Sequence, residues 1–129
     1  MNILGAQGEL AYAYFLTTQG VKFEMPELVS DRPIHAADII AWGRNIDVKT
    51  VRPDAKELLV NEEAHLKNKG IHIYIFVQFL AGNKARSWAY YYNEVSNWPV
   101  DFKGFTNAYY ESIAFLEEMQ RQIDEKKQQ

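Results

Sequence analysis

The sequence predicts an α/β domain, a mixed central β-sheet flanked by helices. Three observations predict it: apolar residues at helical spacing open the chain, runs rich in β-branched and aromatic residues fill its middle, and a second helical stripe closes it. A length of 129 residues fits one domain spanning 1–129, and a hydrophobic share of 47% supplies a packed core and excludes a disordered chain.

Residues Ile3 to Gln19 read as a helix, with Leu4, Ala11, Tyr12, Phe15 and Leu16 near one face and Gly20 as the stop. Val21 to Met25 reads as a short strand before Pro26, and Asp31 to Pro33 as a turn. Ala36 to Trp42 and Asn45 to Val51 read as paired strands of a hairpin, with Gly43 and Arg44 between them and Pro53 after the second. Leu59 to Lys69 reads as a helix with Asn61 as its cap and Gly70 as its stop. Ile71 to Leu80 is predicted to be a central strand. Ala81 to Lys84 forms a turn, and Ser87 to Val95 a further strand with Tyr90, Tyr91 and Tyr92 near its middle. A core of 1–95 is then followed by a long amphipathic helix, 107–127. Its stripe of Tyr109, Ile113, Leu116, Met119 and Ile123 serves either packing within the chain or the seam of a homodimer. The polar end, Asp124 to Gln129, is expected to fray.

Cysteine is absent, which excludes disulfide frameworks and thiolate metal sites and fits a reducing, cytoplasmic location. The N-terminus lacks a basic stretch followed by a long apolar run, so no signal peptide is expected. The longest apolar stretch, Ile71 to Gly82, is too short to cross a bilayer, so no membrane partner is expected. Net charge is −3, a mild argument against nucleic acid. The first 106 residues hold 11 basic and 12 acidic side chains, and setting aside Glu9, Asp38 and Asp47 leaves 9 acidic ones. If those three face a metal ion, the body of the chain is slightly basic.

The candidate chemistry starts at Asp47-Val48-Lys49. Side chains alternate along a strand, so Asp47 and Lys49 share a face while Ile46 and Val48 enter a core. A carboxylate beside an ammonium suits a metal ligand next to a group that positions water. Taken alone the pattern selects nothing: Asp54/Lys56, Asp101/Lys103, Asp124/Lys126 and Glu125/Lys127 repeat it in turns or on the helix tail.

Asp38 singles out the first instance. It sits within Ala36-Ala37-Asp38-Ile39-Ile40-Ala41-Trp42, and a carboxylate in apolar surroundings needs a partner. The partner is either a cation of the chain, Lys49 or Arg44, or a hard metal ion such as Mg2+ that prefers oxygen. Glu9 is the third acidic group. It follows Gly5 and Gly8 on the first helix, and each glycine there costs about 1 kcal/mol relative to alanine, a cost that suggests close approach to another backbone. Glu9 otherwise reads as an exposed glutamate favoured by the helix dipole.

The set Gly8-Glu9, Ala37-Asp38 and Asp47-Val48-Lys49-Thr50, followed by the strand from Ile71 to Phe79, resembles the PD-(D/E)xK nuclease superfamily. Alanine stands where its motif has proline, and the glutamine or lysine that often follows on the second helix has only Asn61, His65 or Lys67 to fill its place. The resemblance implies a restriction-endonuclease-like core and a DNA endonuclease, including the Holliday junction resolvase-like branch that acts on branched DNA. It implies Mg2+, or Mn2+ in its place, held by Asp38, Asp47 and the Val48 carbonyl, with Glu9 acting through water or on a second ion. Lys49 would then orient the attacking water. Arg44, Arg52, Lys56, Lys67 and Lys69 would meet DNA phosphates, Arg44 and Arg52 foremost. A catalytically inactive module that kept this fold to bind nucleic acid is the alternative. Cutting two strands favours a two-fold dimer.

The remaining chemistry-bearing residues rank lower. His35, His65 and His72 are too scattered for a zinc pattern, although His65 lies within reach of the metal edge, and Ser30 reads as a turn hydroxyl. Trp88 and Tyr90 to Tyr92 offer base-stacking surfaces, but their alternation favours packing.

Overall fold

The computed structural model describes residues 3–25, 37–68 and 70–128. In chain order the elements are α1 (Ile3–Thr18), β1 (Phe23–Glu24), β2 (Ile39–Ala41), β3 (Arg44–Val51), β4 (Glu57–Asn61), α2 (Glu62–Lys67), β5 (Ile73–Leu80), β6 (Lys84–Tyr91), α3 (Tyr92–Ser96), β7 (Val100–Phe102), β8 (Asn107–Ser112) and α4 (Ile113–Lys127). Ser30, the turn Asp31 to Pro33, His35 and Lys69 lie outside the described residues.

Five strands form a sheet in the order β1-β2-β3-β5-β6. The β3–β5 pair is parallel and the others antiparallel, so the central sheet is mixed, as predicted. β3 occupies its centre, with β5 beside it. β3 buries Ile46 and Val48 beneath α1, against Tyr12, Ala13 and Leu16 and beside Ile39, Ala41, Ile75 and Val77. The opposite face, with Val51, Tyr74 and Phe76, packs on Leu58, Val60, Val95, Tyr109 and Ile113. Gly20, at φ 71°, ends α1 by letting the Val21 N–H return to the Leu16 carbonyl at 3.0 Å.

Several boundaries differ from the sequence reading, each for a packing reason. The segment from Leu59 does not begin as helix. Leu58 and Val60 are buried while Leu59 is 43% exposed, a two-residue alternation that makes β4. Asn61 caps α2 as expected, its Oδ1 accepting the Ala64 N–H at 2.9 Å. The strand predicted from Ser87 starts earlier and stops at Tyr91, where Glu94 accepts the Tyr91 N–H at 3.0 Å and α3 begins.

The long C-terminal helix also starts later than its stripe suggests. Asn107–Ser112 is strand β8, lying between β4 and β7 in a second, antiparallel sheet of three strands. Tyr109 is therefore a core residue of that sheet. Ser112 caps α4 through Oγ, which accepts the Phe115 N–H at 3.3 Å. Of the predicted stripe, Ile113 is buried and Leu116 packs on the core, while Met119 and Ile123 are each 44% exposed.

The hairpin turn is Trp42-Gly43 rather than Gly43-Arg44. Ala41 pairs with Arg44, and the two turn residues have φ of 54° and 70°. Two consecutive positive φ angles are the requirement of a turn that matches strand twist, usually met by Asn-Gly. A side chain in this conformation costs roughly 1–2 kcal/mol. Among the described residues no helix is long and apolar enough to cross a membrane.

Candidate active site

β3 alternation separates core from site. Asp47 and Lys49 leave the α1 face, and Lys49 Nζ lies 3.0 Å from Asp47 Oδ2. They stand beside Tyr74 and Phe76, their register partners on β5. β2 begins one residue after Asp38, so the predicted strand is shorter at this end. The Asp38 N–H still reaches the Ile46 carbonyl at 3.0 Å, and the Val48 N–H donates to Asp38 Oδ2 at 2.8 Å. In effect the Asp38 side chain continues the ladder where the strand has stopped. A residue's N–H and C=O share one edge of a strand, so the Val48 carbonyl points to the same side as Asp38.

Lys49 thus pairs with Asp47 and not with Asp38, and Arg44 lies away on the hairpin. Asp38 faces like charge instead. Its carboxyl is pushed up to about 8, first by burial and then by the negative charge of Asp47; the Val48 N–H pulls the other way, and Glu9 and a hydrogen bond with Asp47 push further up. Two carboxyl groups therefore face each other at this spot, and the cost of charging both falls on Asp38. Glu9 delivers its field from α1, whose position is set by Gly8. A Cβ built on Gly8 would overlap Thr50 Oγ1 and meet Thr50 Cβ at 3.2 Å, so the close approach is first to a side chain, with the Thr50 backbone Cα behind it at 3.5 Å.

Beside the carboxyl pair lies a second polar cluster. Lys49 Nζ stands 5.7 Å from the centroid of the Tyr74 ring. The Tyr74 hydroxyl lies 2.7 Å from His65 Nδ1, and His65 Nε2 lies 2.8 Å from Ser96 Oγ. Ser96 donates its proton to the Tyr92 carbonyl at 3.1 Å, so it accepts from His65 Nε2–H, and Tyr74 must donate to Nδ1. His65 is 1% exposed and stacks on Tyr92 at 3.9 Å. Burial, and then the Lys49 charge, holds its pKa below the ordinary histidine value. His65 is thereby a neutral structural residue and not a ligand at the metal edge.

The remaining predicted residues scatter. Arg44, Arg52 and Lys56 are exposed, Arg44 next to the hairpin turn and the other two after β3. Lys67 pairs with Glu63 at 2.6 Å along α2, a surface ion pair. His72 is exposed and accepts the Asn45 N–H on Nδ1 at 2.9 Å. Trp88 and Tyr90 pack against the core, with Arg86 over the Trp88 ring at 4.9 Å. Sequence reasoning missed Tyr74. Its signal was present, because a parallel pairing of the two predicted strands sets Tyr74 beside Asp47.

Among the described residues no group of three or more Asp, Glu and His side chains closes to metal-ligating distances. The donor chemistry nonetheless fits a hard divalent cation: the groups are oxygen donors, and Asp38 sits among like charges that a cation would relieve.

No protein-family model matches the chain, and no curated protein matches it. Among solved structures it is similar to Hjc of Archaeoglobus fulgidus, a Holliday junction resolvase from an archaeal hyperthermophile. The identity is 13% and the TM-score 0.49, over 85% of this chain and 84% of that one. At that distance the chemistry of the site is read from its own residues.

Proposed function

We propose that the chain is a divalent-metal-dependent endonuclease of the PD-(D/E)xK type that hydrolyses phosphodiester bonds in DNA. The observation that supports it best is the Asp38–Asp47 carboxyl pair beside Lys49, with Glu9 acting on the same spot from another element. Asp38, Asp47 and the Val48 carbonyl would hold Mg2+ or Mn2+, with Glu9 adding negative charge. When bound, such a cation neutralises phosphate oxygens and lowers the pKa of water.

The chain's own groups do the rest. The Val48 N–H fixes the Asp38 carboxyl, so the pair is oriented before any ligand arrives. Lys49, tethered to Asp47 at 3.0 Å, places an ammonium where negative charge develops at phosphorus and orients the attacking water. The Tyr74 ring limits where that ammonium can go. Cutting both strands of a duplex in one visit takes two such sites, which a two-fold dimer would supply.

The test is a panel of plasmid and branched DNA incubated with Mg2+, run beside Lys49→Ala, together with Mn2+ calorimetry on wild type and Asp38→Ala. Cleavage should fall by about a thousandfold in Lys49→Ala, the scale of losing a charge-stabilising group, and Mn2+ binding should vanish in Asp38→Ala. Equal cleavage by wild type and Lys49→Ala would remove the assigned role of Lys49. The second reading, a catalytically inactive nucleic-acid-binding module, is favoured by the lack of a closed three-ligand cluster among the described residues. DNA binding without Mn2+ binding would establish it.

A further inference from the structure

We infer that the tip of the β2–β3 hairpin is a nucleic-acid contact, in which Trp42 stacks on an unpaired base while Lys22 and Arg44 hold the flanking phosphates. The inference deepens, and rests on, the reading of the chain as a DNA-acting protein.

Among the described residues, nothing in the fold explains Trp42. It is 59% exposed, so it adds little to either core, and at φ 54° it takes a backbone conformation that a bulky side chain rarely adopts. Asparagine or glycine would serve the turn better. An indole held out on a strained turn is a feature whose use lies in what it touches.

Its neighbours say what that is. The β1–β2 register pairs Phe23 with Ala41, so Lys22, just before Phe23, lies at the end of β1 nearest the hairpin tip. Arg44 follows directly after Gly43 and closes the turn against Ala41. Lys22 and Arg44 are both exposed, and among the described residues neither has a carboxylate in ion-pair contact. The nearest carboxylate on β1, Glu24, stands opposite Ile40 instead. An exposed aromatic ring at a tip with a cation on each adjoining strand is the pattern that stacks bases and neutralises the phosphates beside them.

The spacing fits the proposed site. Trp42 lies four residues from Asp38 along the chain, about 13 Å at ~3.3 Å per residue. That is roughly four base steps at 3.4 Å each. A base offers its face only where stacking is interrupted, so the hairpin selects DNA with a branch, a flap or a single-stranded arm over uninterrupted duplex.

The experiment is fluorescence anisotropy with labelled splayed-arm and fully paired DNA in the presence of a chelator, so that no cleavage occurs. Trp42→Ala should weaken splayed-arm binding about tenfold, within the range of one lost base stack. Paired-duplex binding should change less than about twofold, and Trp42→Phe should keep most of the affinity. Trp42→Asn should lose the same affinity yet raise Tm by about 3 °C, because the turn is relieved.

Wild-type affinity for splayed DNA in Trp42→Ala would overturn the inference, as would equal loss on both DNAs or a lower Tm in Trp42→Asn. A change of oligomeric state with DNA binding intact would assign the tip to a protein contact and overturn it too. The two readings separate cleanly. If wild type binds splayed DNA through Trp42 but cuts nothing with Mg2+, the nuclease reading alone fails. If wild type cuts DNA and Trp42→Ala binds like wild type, the hairpin inference alone fails.

Discussion

Asp38 and His65 are both ionisable groups drawn out of solvent, and they are treated in opposite ways. Every polar atom of the His65 ring has a partner, Tyr74 on one side and Ser96 on the other, and the ring stays neutral. Among the described residues Asp38 has the Val48 N–H as its stabilising partner, and it faces the carboxylates of Asp47 and Glu9. A fully satisfied cluster holds a fold together, because nothing further binds to it at a gain. A cluster with like charges left facing each other is unfavourable until a cation or a proton enters. The contrast separates the candidate site from the scaffold supporting it.

The largest effect that would sharpen this contrast comes from Asp38→Asn. The amide still accepts from the Val48 N–H and can donate to Asp47, so the fold keeps its hydrogen bonds and loses the repulsion. Cleavage should fall by about a thousandfold, while metal-free stability should rise. The gain depends on pH. The folded Asp38 carboxyl titrates at about 8 against 3.8 for the free group, so the folded state holds the extra proton between those values. Wild-type stability from this group is full below about 4 and declines as pH rises towards 8, and the advantage of Asp38→Asn should widen over that window. Thermal melts with a chelator at several pH values check it; a constant offset would mean that Asp38 does not titrate in that window.

His65→Ala should act the other way. It leaves Tyr74 and Ser96 without a partner in a packed interior, costing roughly 3 kcal/mol in urea unfolding. The pH trend is also reversed: a histidine held neutral contributes full stability above its ordinary value of 6.5 and loses it as pH falls towards the lowered folded value. Mn2+ affinity should stay within a few fold, and a total loss would move His65 into the metal site. Gly8→Ala is the smallest of the three, at about 2 kcal/mol, because its Cβ must displace Thr50. Adding Thr50→Ala should recover most of the loss, since the overlapping Oγ1 is then gone; no recovery would place the cost elsewhere.

Much of the candidate site was legible along the chain. The alternation of Ile46, Asp47, Val48 and Lys49 sorted core from site before any contact was known, and the glycine at position 8 announced a close approach. Arg44, Arg52, Lys56 and Lys67 read as basic residues near the motif with Arg44 and Arg52 foremost; Lys67 is bound to Glu63, and of the four Arg44 lies beside the aromatic hairpin tip. The misread elements share a cause. Leu58 and Val60 become a strand because β8 pairs with them from some fifty residues away, and Tyr109 leaves the helical stripe for the same reason. Local spacing carries no information about that partner.

By itself the sequence determined which residues could do chemistry and which face of β3 would carry them, because both follow from side-chain type and a two-residue period. Only the tertiary structure decided how the charges meet. It set Lys49 on Asp47, turned the Asp38 carboxyl towards Asp47 and the Val48 N–H, and hid His65 behind Tyr74. Those outcomes depend on distance and burial, which fix the strength of every electrostatic interaction and which no spacing along a chain specifies.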